Sequence, residues 1–577
     1  MVSSEFARKV TIHLGELYPE EDASALTRKC IDAIGIDGTQ ASIESRQSLW
    51  DSADIVLITY ADSVVSSNQT PLDTINYLLS RYLKETVSVV HILPFFPYSS
   101  DDGFSVIDYS TVNPSHGNWE QLRQIKTNFK LMADLVLNHC STRSLWFENF
   151  KTETDPGRNF FITAAADTDT TQVVRPRTSD LLRPTRTNSG EKLVWCTFSH
   201  DQADLNFRNP DVLLEFLKII RLYLDQGIEW FRLDAVGFIW KELGTSCINL
   251  PKAHTLIKLL RLLIETKSKS SVVITETNIP NVENLSYFGD LDEAHVIYNF
   301  SLPPLLLNTL ITGDYSHLQR WIKTMPPART GSAYLNFLAS HDGIGLRPVE
   351  GLLSREEIEK LTSTMVSFGG RLSYRATQSG EREPYEINIS LWDALAGTLR
   401  GGRDLHQFDR FICAHAILLS VEGIPAFYVH SLFATENDVS RVGNTGNLRS
   451  INRHVWELDD LERRLTEKDS HHSRVFSRLT ELIKLRKGCE AFHPNATMFT
   501  LQLGDAVFGF LRKSIDRSQD IFAVFNVTDE SVLFDIGDLN LTIDHVWMDL
   551  VSGTIFEAGE ESVELEPYQF LWISNKQ

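Results

Sequence analysis

Three carboxyl groups in this 577-residue sequence close short apolar runs that have the texture of β-strands. The run Glu229-Trp230-Phe231-Arg232-Leu233-Asp234 ends in one of them. With the two-residue period of a strand, Trp230, Arg232 and Asp234 share a face, so a guanidinium and a carboxylate point the same way. Glu276 ends Val272-Val273-Ile274-Thr275, and the same parity places Val272 and Ile274 beneath it as apolar layers. Such a setting removes water from the carboxyl and raises its pKa, which suits a general acid. The third carboxyl, Asp342, follows Tyr334-Leu335-Asn336-Phe337 and stands beside an imidazole in Ser340-His341-Asp342-Gly343. Two carboxyls facing each other across a bond are the equipment of glycoside chemistry, and a separation of about 5–5.5 Å makes that chemistry retaining. Taken alone, Arg232 and Asp234 also read as a buried structural ion pair.

The elements that must hold these groups alternate. Short aliphatic runs near residues 55, 88, 131, 230, 273, 296, 334 and 424 are separated by amphipathic stretches at Leu72–Lys84, Trp119–Asn128, Val212–Gln226, Ala253–Lys267, Tyr315–Thr324 and Phe408–Val421. Eight strands alternating with helices predict a closed (β/α)8 TIM barrel, whose chemistry gathers at the C-terminal ends of its strands. The catalytic barrel is expected over 51–139, 207–344 and 406–495. Two polar excursions break the rhythm and predict inserted loop domains at 140–206 (domain B) and 345–405 (domain B'). From 496 to 577 the pattern turns to short alternating runs such as Ala506–Leu511 and Ile521–Phe525, an antiparallel β domain. Residues 1–50 read as a helical extension.

Composition narrows the class. The chain is 42% hydrophobic and 23% charged, which excludes global disorder. A formal charge of −21 argues against nucleic acid or an anionic membrane as partner. That charge serves solubility, and adaptation to a salty interior is an alternative that composition leaves open. The six cysteines are scattered, with no zinc-ligand spacing, and read as free thiols in a reducing compartment. With neither a signal-peptide pattern at the N-terminus nor a long apolar stretch, the expected location is cytoplasmic, as a monomer or homodimer.

Four ordered segments together carry a resemblance. Asp134-Leu135-Val136-Leu137-Asn138-His139, Phe231-Arg232-Leu233-Asp234-Ala235-Val236, Ile274-Thr275-Glu276-Thr277 and Phe337-Leu338-Ala339-Ser340-His341-Asp342 resemble the signature segments of the α-amylase family, glycoside hydrolase family 13. The resemblance spans about residues 50 to 577. It implies Asp234 as nucleophile, Glu276 as general acid/base and Asp342 as transition-state stabiliser, with His139, Arg232 and His341 holding the sugar. For Asp134 and Asn138 a structural role and a catalytic one are both open. No clear acidic cage for calcium is evident, and the double displacement requires neither metal nor organic cofactor.

A narrower resemblance lies in Leu93-Pro94-Phe95-Phe96-Pro97 followed by Ser100-Asp101-Asp102-Gly103-Phe104-Ser105, which is similar to the sucrose phosphorylase subfamily. It implies a pocket sealed around one glucose, with Asp101 paired to Arg453 and with Phe104 and Gln202 among the sugar contacts. Phosphate, rather than water, would then attack the glucosyl enzyme, and the small-molecule partners would be an α-glucoside, phosphate and α-glucose 1-phosphate. Cationic donors are needed for that dianion. Arg175, Arg177, Arg183 and Arg375 are candidates, with Asn278 and Tyr385 as further phosphate or acceptor contacts; Arg186 and Arg371 lie in the same two excursions. The N-terminal extension, the segment Gly380–Asn388 and Thr277-Asn278 after the acid/base depart from sucrose phosphorylases. They resemble glucosylglycerol and glucosylglycerate phosphorylases, and the acidic charge favours glucosylglycerol of the two. Sucrose or sucrose 6'-phosphate phosphorylase, a hydrolase, and a non-catalytic barrel acting as a binding subunit are the alternatives.

Overall fold

β-Branched and aliphatic residues buried on both faces make the strands of a parallel barrel, and the runs found in the sequence do so here. In the computed structural model, which describes residues 4–37, 49–376, 382–542, 545–556 and 562–576, eight parallel strands close on themselves. They are β1 (Val56–Thr59), β2 (Val89–Ile92), β3 (Lys130–Val136), β4 (Ile228–Asp234), β5 (Val272–Thr275), β6 (Val296–Tyr298), β7 (Ala333–Phe337) and β8 (Ile424–Tyr428). β8 returns beside β1, with Ala426 opposite Val56. The register that matters chemically aligns Arg232 on β4 with Asp134 on β3 and with Ile274 on β5.

Connecting helices follow the amphipathic stretches with shifted ends. Pro210–Asp225 and Pro251–Lys267 each begin with proline at the first turn, where a missing N–H costs nothing. The stretch expected as one helix over Leu72–Lys84 is α-helical only to Leu78 and continues as a π-turn over Leu79–Leu83. Helices Leu302–Thr312, Arg355–Ser367 and His471–Lys487 escaped the sequence reading. The first of these is buried all round and so lacks an amphipathic stripe.

After β3 the chain leaves the barrel, and His139–Ser141 pairs antiparallel with Gln202–Asp204. Between them lies a sheet of Thr163–Ala164, Leu182–Thr187 and Gly190–Trp195. After β7 a second small sheet aligns Ile344–Gly345 and Arg371–Ala376 against Arg382–Asn388. Gly380 and Glu381 of the segment singled out above lie outside the described residues. At the C-terminus a six-stranded sheet, antiparallel throughout, includes Val507–Lys513, Asp520–Asn526 and Phe570–Ser574.

The N-terminal residues form two helices, α1 (Ser4–Leu17) and α2 (Ala23–Ile34). Asp22 caps α2 by accepting from the Ser24 and Ala25 amides, and Gly35 ends it in the left-handed region. The hairpin is fastened to the barrel by Tyr18 Oη, which donates to the Phe207 carbonyl at 3.0 Å, and by Lys267 Nζ, which donates to the Gly35 carbonyl at 2.6 Å. All six cysteines are buried and unpaired. No described helix is long and apolar enough to cross a membrane.

Candidate active site

The C-terminal ends of β3, β4, β5 and β7 open into a pocket of about 720 Å³, counting its open mouth. Asp234, Glu276 and Asp342 all line it, as do Asp101, Phe104, His139, Gln202, Arg232 and His341.

Arg232 organises the floor. It is buried, and its Nη1 donates to Asp134 at 2.5 Å and to Asp234 at 2.7 Å, while Nη2 lies 3.6 Å from Glu276. Asp134 does not line the pocket; its second oxygen is 2.8 Å from His91, so it anchors the guanidinium from below. A buried arginine facing three carboxyls is held by charge-assisted hydrogen bonds and cannot swing away without stranding them. Glu276 accepts the Ala235 amide at 2.8 Å, a bond made possible by the left-handed turn at Ala235 (φ 46°) directly after β4. Burial raises Asp234, opposed by Arg232 and reinforced by Glu276. Burial also raises Glu276, opposed by Arg232 and reinforced by Asp342. The two carboxyls thus share one guanidinium.

Asp342 behaves differently. Burial alone would raise it, but Arg449, with Nη1 at 2.5 Å, and more distantly Arg453 and Arg232 hold it well below the usual carboxylate range. Arg449 is itself anchored by Glu386, which accepts from Nε at 3.0 Å and Nη2 at 3.0 Å and also accepts the Gly343 amide. Neither Arg449 nor Glu386 was singled out from the sequence. Glu386 lies 44 residues after Asp342 in a segment with no strand alternation of its own, and only the pairing with Ile344–Gly345 brings it to the site.

The wall of the pocket is aromatic. His341 stacks on Phe104 with centroids 4.7 Å apart and planes 7° from parallel, and burial pushes its imidazole down to about 3, which keeps it neutral. His139 is likewise lowered by burial and lies 3.1 Å from the Phe104 carbonyl. Phe104 is presented by a sharp turn in which Asp101 (φ 53°) and Asp102 (φ 47°) are left-handed. Gly103 follows at φ 117°, where a Cβ would meet the Pro94 carbonyl oxygen at 2.4 Å. Asp201 clamps that turn by accepting from Ser99 at 2.5 Å, Ser100 at 2.6 Å and Thr142 at 2.9 Å.

The expected partnership of Asp101 with Arg453 takes a modified form. Arg453 donates to Asp102 at 2.7 Å and to the His341 carbonyl at 2.8 Å, and stands 3.7 Å from Asp101. Asp101 lines the pocket while Arg453 and Asp102 lie behind it. The left-handed pair of aspartates points its two carboxylates apart, so the arginine braces the turn and leaves Asp101 available. Behind His139, buried Lys241 donates to Asp204 and Asn138, each at 2.5 Å, so an ammonium fastens the first insertion to the barrel.

Of the phosphate or acceptor candidates, the pocket is lined by Arg177, Asn278 and Tyr385. Arg375 is turned away, between Glu350 at 2.8 Å and Glu383 at 3.0 Å. Arg183 donates to the His200 carbonyl at 2.6 Å and covers Phe147, and neither it nor Arg175 reaches the pocket wall. Position along the excursions carried no information about which guanidinium would face inward. Arg347, five residues after Asp342 and on the same loop, also lines the pocket; its place directly behind a signature segment was the available signal.

This geometry agrees with the comparisons. Residues 67–362 match the family described as "Alpha amylase, catalytic domain". The chain belongs to the α-amylase family. Among its relatives is a glucosylglycerate phosphorylase of Spirochaeta thermophila, 41% identical over 91% of this chain and 90% of that protein. A glucosylglycerol phosphorylase of Marinobacter adhaerens is 28% identical over 76% of this chain and 88% of its own. The crystal structure of sucrose 6F-phosphate phosphorylase from Thermoanaerobacter thermosaccharolyticum superposes with a TM-score of 0.73 at 26% identity, covering 89% of this chain and 98% of that one. The acceptor order suggested by the acidic charge is therefore reversed: the relative named for glycerate is much the nearer of the two. Net charge reports on the whole surface, whereas the acceptor meets only a few residues.

Proposed function

We propose that this chain is a retaining α-glucosyl phosphorylase that interconverts glucosylglycerate and phosphate with α-glucose 1-phosphate and glycerate. In the first step the Asp234 carboxylate attacks the anomeric carbon while Glu276 passes its proton to the departing glycerate oxygen. In the second, a phosphate oxygen attacks the glucosyl ester, its proton returns to Glu276, and Asp234 is released. Arg232 stands 2.7 Å from Asp234 and 3.6 Å from Glu276, which favours the anion on Asp234 and leaves the shared proton on Glu276. Asp342, kept ionised by Arg449, faces the positive charge that develops on the sugar ring. Asp101, Phe104, His139, Gln202 and His341 would enclose the glucose, with Arg453 bracing the turn that carries Asp101.

The observation that carries this reading is the division of the pocket. Carboxyls tied to arginines form its floor, and two arginines without carboxylate partners among the described residues, Arg177 and Arg347, stand in its wall. A hydrolase has no use for unpaired cations there, whereas both phosphate and glycerate are anions. The similarity to glucosylglycerate phosphorylase over nine-tenths of both chains supports the same acceptor. The test is phosphate release from α-glucose 1-phosphate with D-glycerate, glycerol, fructose, fructose 6-phosphate or water alone. Release is expected to be rapid with glycerate only; equal release in every tube would mean a hydrolase, and preference for glycerol or a fructose would reassign the acceptor.

A further inference from the structure

Four arginines line the pocket, and they divide into two kinds. Arg232 and Arg449 are engaged by carboxylates, the first by Asp134, Asp234 and Glu276 through its Nη atoms, with Nε buried and unpartnered, the second by Asp342 and Glu386. Arg177 and Arg347 have no carboxylate within 4 Å among the described residues, and the Arg347 Nε is buried without a hydrogen-bond partner. The two sit on different elements. Arg177 comes from the first insertion and lies against the rings of Phe198 and Tyr385, each with its centroid 5.9 Å away. Arg347 opens a short helical turn in the loop after β7, and Leu346 donates to the Tyr385 carbonyl at 3.0 Å, so that turn is tied to the strand that carries Tyr385. A second unsatisfied atom lies beside that loop. Asn278 packs on the bare backbone of Gly345, where a Cβ would stand 2.7 Å from Asn278 Oδ1, and Oδ1 is buried with no partner.

A buried guanidinium nitrogen and a buried amide oxygen left open on residues that line one pocket are costly unless a ligand completes them. Their chemistry specifies that ligand: an acid group for Arg347 and a hydroxyl for Asn278, on a molecule of a few atoms. We infer that Arg347 and Asn278 form the acceptor subsite, with Arg347 binding the carboxylate of a small hydroxy acid and Asn278 accepting from its hydroxyl, while Arg177 serves the phosphate. This assignment rests on the phosphorylase reading above and adds the division of labour between the two free arginines. Phosphate and acceptor enter in separate half-reactions, so one cation could in principle serve both. Their placement on separate elements argues for separate duties, and a planar carboxylate matches the fork of a guanidinium in pairs of bonds.

The double displacement allows the two duties to be measured apart. Exchange of labelled phosphate into α-glucose 1-phosphate, with no acceptor present, needs only the glucose site and the phosphate site. Transfer from α-glucose 1-phosphate to D-glycerate needs the acceptor site as well. Arg347→Leu is expected to raise the KM for D-glycerate by about 100-fold, the loss of a charge-assisted pair, and to leave phosphate exchange within about 2-fold of the parent. Arg347→Lys, which keeps the charge and loses the fork, should recover part of the glycerate KM. Asn278→Ala should raise the same KM by about 10-fold without affecting exchange. If Arg347→Leu slows exchange as much as glycerate transfer, the arginine is a shared anion site and the inference is overturned. An unchanged glycerate KM in Arg347→Leu would overturn it equally. Failure of the phosphorylase reading is distinguishable, because the unaltered enzyme would then show no phosphate exchange or no transfer to glycerate.

Discussion

The floor and the mouth of the pocket are built on opposite electrostatic plans. On the floor, the arginines are answered by carboxylates of the chain itself: Arg232 by Asp134 and Asp234, and Arg449 by Glu386 and Asp342; behind it, Arg453 is answered by Asp102. In the loop-built wall at the mouth, Arg177 and Arg347 have no carboxylate partner among the described residues. Under the proposed function the floor receives a neutral glucose, and its carboxyls are preorganised by protein partners, at no reorganisation cost when charge develops. Anionic ligands instead need cations whose hydrogen-bonding capacity has not been consumed. Under the proposed function, the contrast separates groups held in place for chemistry from groups held in reserve for binding.

The strongest way to break this picture is at the floor. Asp234→Asn should lower both glycerate transfer and phosphate exchange by about 10⁴-fold or more while the protein stays folded. Retained exchange in that variant would remove Asp234 as nucleophile. The mouth comes next. Arg177→Leu should raise the KM for phosphate in the exchange assay by about 10- to 100-fold with a smaller change in kcat, the signature of lost binding rather than lost chemistry. A variant with kcat reduced and KM unchanged would move Arg177 from reserve to machinery.

Glu386→Gln tests whether the floor depends on its internal partners. Arg449 would keep a neutral acceptor in place of a bidentate carboxylate, and kcat should fall by about 10-fold through a less well-placed Asp342, with little change in KM for phosphate. The pair Asp234 and Glu276 supplies a pH test with a definite sign. Both carboxyls are raised by burial. A carboxyl raised in the folded state destabilises the fold as pH climbs above its unfolded value, because the unfolded chain releases a proton that the folded chain retains. Glu276→Gln removes that penalty, so its gain in melting temperature should be larger at pH 8 than at pH 5. An equal gain at both would mean that Glu276 titrates normally. The smallest effect is expected far from both regions. Tyr18→Phe strands the Phe207 carbonyl under the α1–α2 hairpin and should cost about 1 kcal/mol of stability in denaturant titration with no change in either KM.

The barrel and its floor could be read from the sequence because their signals are local. A strand buried on both faces is a run of apolar residues, and the residue that closes it faces the mouth whatever the rest of the chain does. Asp234, Glu276 and Arg232 were found in this way and line the pocket; Asp342 and His341, read from the segment that follows β7 and its resemblance to a family signature, line it too. Helix Leu302–Thr312 escaped because a helix buried all round has no periodic stripe, and Glu386 escaped because nothing in its neighbourhood points to Asp342.

What the sequence determined by itself is therefore the set of groups whose direction follows from strand parity. Tertiary structure decided everything that depends on how a loop is folded back. It gave Arg453 a bond to Asp102 with Asp101 left lining the pocket, sent Arg375 to Glu350 and Glu383, and packed Asn278 on Gly345, two residues before Arg347. The physical reason is one of range. Strand parity is set by the backbone over two residues, whereas an arginine on a long flexible stem is directed by whichever carboxylate the folded chain brings within reach.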